Sequence, residues 1–443
     1  MQRRAKCLFF SVSWAFGGLG WAQVTATLLA TASGCLGQVE SPKAGGNSGE
    51  EASNGGPGGS DYVKGPTNAV PGDNAKLKNS ACRVVDTGAS RLHRLTRAQY
   101  DNSVVDVLGD TSGPASALAN DERPGTFAVN ADASLTDTLY VQYVEAAESV
   151  ASRAKTQFGK LTPCDEAKQG GPACASVFAK TLGRLLYRRT MQPIELERFA
   201  KLYADNKGDG HAAALELILA TMLQSPNFLY QFESGKQVAG SDPGVLRLDG
   251  FSVAARMTAF LWQGIPDDEL LTAAERGDLD SATGIETQAK RMVTHAKAKR
   301  GWSSFFGQWV QVGRMEQTIL DASLRNSLKA EFEGFVESLR TNPQASVATL
   351  LSSREAKLDA TASAFYGGGP TLNSSHRAGL LTRSAFLAAN TAVSARGKFV
   401  FNELLCNTIS LPANADTTLK DRKPGENPRA QIDSHRESPS VLD

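Results

Sequence analysis

From residue 90 onward, apolar side chains recur at three- and four-residue spacing with few alternating runs, a periodicity that predicts helices. In LTRAQYDNSVVDVLG, residues 95–109, the side chains of Leu95, Tyr100, Val104, Val107 and Leu108 fall near one helical face. Thr96 stands where a hydroxyl can cap the first free amides, and Gly109 supplies a left-handed stop. ACASVFAKTLGRLLYRR (173–189) repeats the pattern, and QPIELERFAKLY (192–203) opens with Pro193 in its first turn and Glu195 beside the positive helix end. AALELILATMLQSPNFLYQFE (213–233) is apolar around most of its circumference before Pro226, which predicts a central buried helix. Stretches 248–262, 266–277, 285–312 and 324–340 continue in kind, separated by short loops holding Gly or Pro. The predicted class is all-α, with helical bundles in series.

The first 35 residues follow different rules. Arg3, Arg4 and Lys6 precede an apolar run that ends in Ala32-Ser33-Gly34-Cys35, the layout of a secretory leader. Small residues running into a cysteine resemble the lipobox of bacterial lipoproteins, a resemblance that implies cleavage before Cys35, diacylation of its thiol and acylation of the new amino group. Each buried methylene adds about 0.8 kcal/mol, so several acyl chains anchor stably. The apolar run is also long enough for an uncleaved membrane anchor, although Gln23 and the glycines weaken such a helix. Leu36 rather than an aspartate follows the cysteine, which favours the outer membrane or cell surface. Residues 36–80 are rich in Gly, Ser and Pro with one aromatic, Tyr62, too little apolar surface to offset the entropy of ordering, so a disordered tether is expected.

Charge excludes one class of partner. Without the three leader cations the 47 basic residues become 44 against 46 acidic ones, a net −2 with no basic block, so nucleic acid is not an expected partner. With Cys7 in the leader and Cys35 assigned to lipid, four cysteines remain, an even number suited to disulfides in an oxidising compartment. Cys164 and Cys174 close a short glycine-rich loop and form the expected bridge; Cys82 and Cys406 remain as a second pair. No Cys-x-x-Cys occurs, and no cysteine sits near a histidine at zinc-site spacing.

Other chemistry is sparse. In DNKGDGHAAALE (205–216), Asp205, Asp209, Gly210 and Glu216 match the first, fifth, sixth and twelfth places of a calcium loop. Lys207 occupies a ligand position and Ala213 offers no side-chain oxygen, so a polar turn is the preferred reading. Asp267, Asp268 and Glu269 follow Pro266 and read as helix-start residues, with paired-carboxylate acid–base work as the rival. His93, His211, His295, His376 and His435 are scattered, and neither a nucleophile elbow nor a phosphate-binding glycine loop is present. Trp262, Trp302 and Trp309, with Phe305 and Phe306, are read as core, or alternatively as a platform for stacking sugars.

Several stretches together resemble a family of secreted proteins of planctomycetes and myxobacteria, described by the domains of unknown function 1587, 1595, 1592 and 1588 in series. RLHRLTRAQYDNSVVDVLG (91–109) is similar to the opening of the first. Residues 173–233 resemble the second, with Thr190 in place of the usual proline after the arginine pair. Residues 246–279, with FFGQWV (305–310) and LDATASAFYG (358–367), resemble the third, and 376–406 the fourth. The implied organisation is a leader (1–35), a linker (36–80) and helical domains over 81–160, 164–235, 245–368 and 375–443, the last partial. In that family the fourth domain leads to a Cys-x-x-Cys-His that attaches c-type haem. Here PRAQIDSHRESPS (428–440) is followed by Val-Leu-Asp, so the chain reads as interrupted before that motif and no cofactor is expected. The expected function is that of a lipid-anchored, non-catalytic scaffold or partner-binding body outside the cytoplasm, its partner a protein or polysaccharide in an envelope redox or polymer-handling system. The alternatives are a fragment of a c-type-cytochrome-associated electron-transfer protein and a carbohydrate-binding or carbohydrate-active protein.

Overall fold

The computed structural model describes residues 91–407, apart from 124, 132–134, 165, 240–243, 370 and 373–376, together with 425, 427 and 430. The leader with Cys35, the linker, and Cys82 lie outside the described residues, as do His376 and His435. Among the described residues the chain is helical, with two sheets of two strands each, which agrees with the all-α expectation.

Local chemistry fixes the helix ends. The first helix, α1 (Arg97–Leu108), is capped by Thr96, whose hydroxyl accepts from the Gln99 amide at 3.3 Å while its own amide donates to the Gln99 side chain at 2.9 Å. Gly109 ends it at φ 68°, the predicted left-handed stop. The Thr136 hydroxyl caps α2 (Asp137–Ala154) by accepting from the Leu139 amide. The next helices are α3 (Gly171–Leu186), α4 (Pro193–Asn206) and α5 (His211–Gln224). Leu215, Ile218, Leu219, Met222 and Leu223 of α5 are all buried, against α2, α3 and α4, so the apolar stretch is the central helix it was expected to be. Each such side chain contributes roughly 1.5–3 kcal/mol by leaving water.

The first two segments close over one shared core, which runs from Leu95 through Tyr143, Phe178 and Tyr203 to Leu229. A backbone stitch explains why. Strand β1 (His93–Arg94) pairs antiparallel with β2 (Tyr230–Gln231), and the Leu95 amide donates to the Leu229 carbonyl at 2.8 Å. The start of the helical body is therefore fastened to the end of its second segment.

A hairpin of β3 (Gly235–Gln237) and β4 (Leu246–Leu248) leads into α6 (Gly250–Leu261), α7 (Asp268–Glu275) and α8 (Ala282–Thr294). These surround a second core containing Val253, Met257, Trp262, Leu270 and Met292. Helix α9 (Ala298–Trp309) crosses α6 closely: a Cβ on Gly301 would meet the Leu261 carbonyl oxygen at 2.4 Å, so only glycine allows this approach. The third core gathers Phe306, Val310, Phe332 and Phe335 with Phe386 and Phe399, from α9, α10 (Ala322–Thr341), α11 (Ser384–Ala389) and α12 (Val393–Phe399). The expected third and fourth domains thus share this core across residue 375.

Candidate functional site

The chain from α3 to α6 builds a cleft at the seam between the second and third segments. Helix α3 stops at Leu186, and Arg188 takes a left-handed backbone at φ 57°, a conformation that costs a side chain about 1 kcal/mol or more. Its guanidinium compensates by donating to three carbonyls of the turn after α5: Phe228 at 2.8 Å, Asn227 at 3.3 Å and Tyr230 at 3.4 Å. It also lies 5.9 Å from the centre of the Phe228 ring. Arg188 is 5% exposed, and its Nε–H makes no hydrogen bond. Burial alone lowers its pKa to about 10. Arg189 beside it is neutralised: it makes a two-pronged contact with Glu195 at 2.7 and 2.9 Å and reaches the Asn227 side chain at 3.2 Å.

The facing wall is the first turns of α6. Asp249 caps that helix, accepting from the Ser252 amide at 2.7 Å and from the Ser234 hydroxyl. Tyr187, Phe232 and Phe251 supply apolar surface, and the cleft has a volume of about 250 Å³. Burial raises the Tyr187 phenol to about 12, so its proton stays on at neutral pH.

Ion pairs hold the segments around this seam. Asp106 of α1, 4% exposed, meets Arg300 at 2.9 Å and Lys297 at 3.1 Å. Arg184 of α3 reaches Asp268 and Glu275 of α7, and Thr190 donates to Glu275 at 2.9 Å. Asn102 donates to the Gln263 carbonyl at 2.7 Å. Farther along, Arg383 and Glu331 form an ion pair with both side chains 0% exposed, and Arg383 stacks 3.5 Å from the centre of the Phe335 ring.

The residues singled out in the sequence fare differently. Cys164 and Cys174 are bridged, with Cα atoms 5.5 Å apart. The proposed pairing of Cys82 with Cys406 has its first member outside the described residues; Cys406 is half-buried. The calcium-loop residues do not converge. Asp205 binds Lys201 at 2.7 Å, Asp209 belongs to a short turn, and Glu216 binds Lys155 at 2.8 Å. Among the described residues no acidic, histidine or cysteine cluster is fit for a metal ion. Asp267, Asp268 and Glu269 are helix-start residues with separate tasks: Asp267 caps α7 and binds Arg291 at 2.7 Å, Asp268 binds Arg184, and Glu269 binds Arg291 at 3.1 Å. Burial pushes the Asp267 carboxyl up, but Arg291 and the Leu270 amide together bring it below the usual range. His211 contacts the Tyr203 hydroxyl at 2.8 Å.

The sugar-stacking platform is not formed. Trp262 is 0% exposed in the second core, its indole donating to the Met292 carbonyl at 3.0 Å. Trp302 and Trp309 lie half-buried against the third core, so the three do not share a face. The sequence reading missed Arg188, Asp106 and the Glu331–Arg383 pair. The one local signal was the doubled arginine at a helix end; burial of charge has no signature in the sequence.

Comparison with known families now places the chain. Residues 93–156 match a protein of unknown function (DUF1587), 174–233 another (DUF1595) and 248–367 a third (DUF1592). The chain belongs to the family that carries these domains in series. The cleft therefore lies where the DUF1595 and DUF1592 segments meet. No curated protein and no solved structure matches the chain. Attachment of c-type haem requires a Cys-x-x-Cys-His, which the sequence lacks, and Cys164 and Cys174 are bound to each other. The residues present do not fit that group.

Proposed function

We propose that this protein is a lipid-anchored, non-catalytic scaffold or partner-binding body of the extracytoplasmic space, set in an envelope redox or polymer-handling system. The observation that carries the scaffold reading is the use of charge at the joints. Asp106 with Lys297 and Arg300, and Arg184 with Asp268 and Glu275, tie the DUF1587 and DUF1595 segments to the DUF1592 segment. The neighbouring carboxylates that could have served acid–base chemistry are each engaged, Asp267 in a helix cap, Asp268 in a joint and Glu269 with Arg291. A body fastened in this way holds a fixed shape at the end of a long tether, which suits presentation of a surface more than turnover. The anchor reading rests on the leader, the small residues before Cys35 and the glycine-rich stretch after it.

Two measurements test these parts. Cys35→Ala is expected to release the protein from membranes on fractionation, and continued retention excludes the lipid anchor. Thermal unfolding followed by circular dichroism is expected to show the DUF1587–DUF1592 body melting in one transition, and Asp106→Asn to split it. Independent transitions in the unaltered protein remove the case for a rigid body.

A further inference from the structure

We infer that the cleft at the DUF1595–DUF1592 seam binds a small organic monoanion through a carboxylate, with Arg188 as its counter-ion. The inference stands apart from membrane anchoring and from the scaffold role. Its starting point is an uncompensated buried cation. Of the other buried arginines, Arg383 has Glu331 beside it, and Arg94 donates to the Tyr143 hydroxyl at 3.1 Å and does not line the cleft. Arg188 has carbonyl dipoles and an aromatic ring, with no carboxylate paired to it. Carbonyls orient a guanidinium and satisfy its N–H groups, but they leave its full charge in a low-dielectric setting, where an arriving anion gains most.

The surroundings narrow the ligand. Arg189 adds no net charge because Glu195 neutralises it. Asp249, at the opposite wall, accepts from the Ser252 amide, and its carboxylate repels a second negative charge. One free positive charge opposed by one fixed negative charge suits a monoanion and disfavours a phosphate dianion. Tyr187, Phe232 and Phe251 line the cleft with apolar surface, which calls for an apolar flank on the ligand. The volume of about 250 Å³ falls below the roughly 300–1,000 Å³ of drug-sized ligand sites, which restricts the ligand to a single ring or a short side chain bearing a carboxylate.

The test uses 4-fluorobenzoate, observed by fluorine NMR on titration with the intact chain, with acetate and inorganic phosphate as competitors. Saturable broadening is expected, displaced by unlabelled benzoate, weakly by acetate and not by phosphate. Gln231→Glu places a negative charge on the cleft lining without touching the Arg188–carbonyl bonds, and is expected to weaken binding by about tenfold or more. Arg188→Met is expected to abolish binding, and Arg188→Lys to retain part of it. If Arg188→Met does not fold, the Gln231→Glu arm decides alone. The proposal is overturned by absence of saturable binding in the unaltered protein, by equal affinity in Gln231→Glu, or by phosphate competing as well as benzoate.

Discussion

The buried pair of Glu331 and Arg383 offers the sharpest test of how this fold is held. Glu331 sits on α10 and Arg383 just before α11, so the pair fastens the segment after residue 375 to the DUF1592 body. Both side chains are 0% exposed, the Arg383 guanidinium also donates to the Glu355 carbonyl at 2.6 Å, and the Tyr366 hydroxyl lies 3.5 Å from Glu331. Arg383→Met removes the cation and leaves a carboxylate in the core with only that long contact. Breaking a buried pair from one side costs about 3–5 kcal/mol, because the remaining charge has no partner. At about 2–4 °C per kcal/mol for a unit of this size, the melting temperature of the third core falls by roughly 10 °C. Replacing both partners, Glu331→Leu with Arg383→Met, removes the stranded charge and is expected to recover most of the loss. Denaturant titration of the single and double variants gives the comparison. A single variant that loses under about 1 kcal/mol, or a double variant as damaged as the single, refutes the reasoning.

The same pair predicts a pH dependence. Burial raises the Glu331 carboxyl above its ordinary value against the opposing pull of Arg383. The native state therefore holds that proton more tightly than the unfolded chain. The corresponding stability is fully present below the ordinary glutamate value and is lost as pH rises through the raised one. Glu331→Gln is expected to flatten the stability profile in that window, measured by denaturant midpoints against pH; an unchanged slope contradicts the assignment.

The remaining expectations are briefer. Reducing Cys164–Cys174, or replacing both by serine, reopens a loop of sequence separation 10 and is expected to destabilise the first core by about 2–3 kcal/mol, read as a reductant-sensitive melt. Gly301→Ala forces α9 away from the Leu261 carbonyl and is expected to cost about 1–3 kcal/mol, whereas Gly307→Ala, with open space around it, is expected to be neutral in the same denaturation assay. Millimolar calcium is expected to leave the melting temperature unchanged, since Asp205 and Glu216 are bound to different lysines; a calcium-dependent rise in calorimetry restores the calcium-loop reading.

Much of this molecule was decided within a few residues of sequence. Thr96 and Gly109 set the limits of α1, Pro193 opens α4, and the ten-residue spacing of Cys164 and Cys174 allows their bridge, because capping, backbone conformation and short loop closure act locally. Helical periodicity gave the all-α class, while the order of the domains was legible only through the resemblance of several stretches to a known family. Where the cores lie was not. The pairing of β1 with β2 joins residues more than a hundred positions apart and merges two segments, while the third core spans the boundary near residue 375. Nor does any local pattern tell a solvated arginine from Arg188, Arg383 or the partner of Asp106. Their environments are assembled by contacts across the chain, such as the 194 positions separating Asp106 from Arg300, and only tertiary packing removes the water that makes such charges matter.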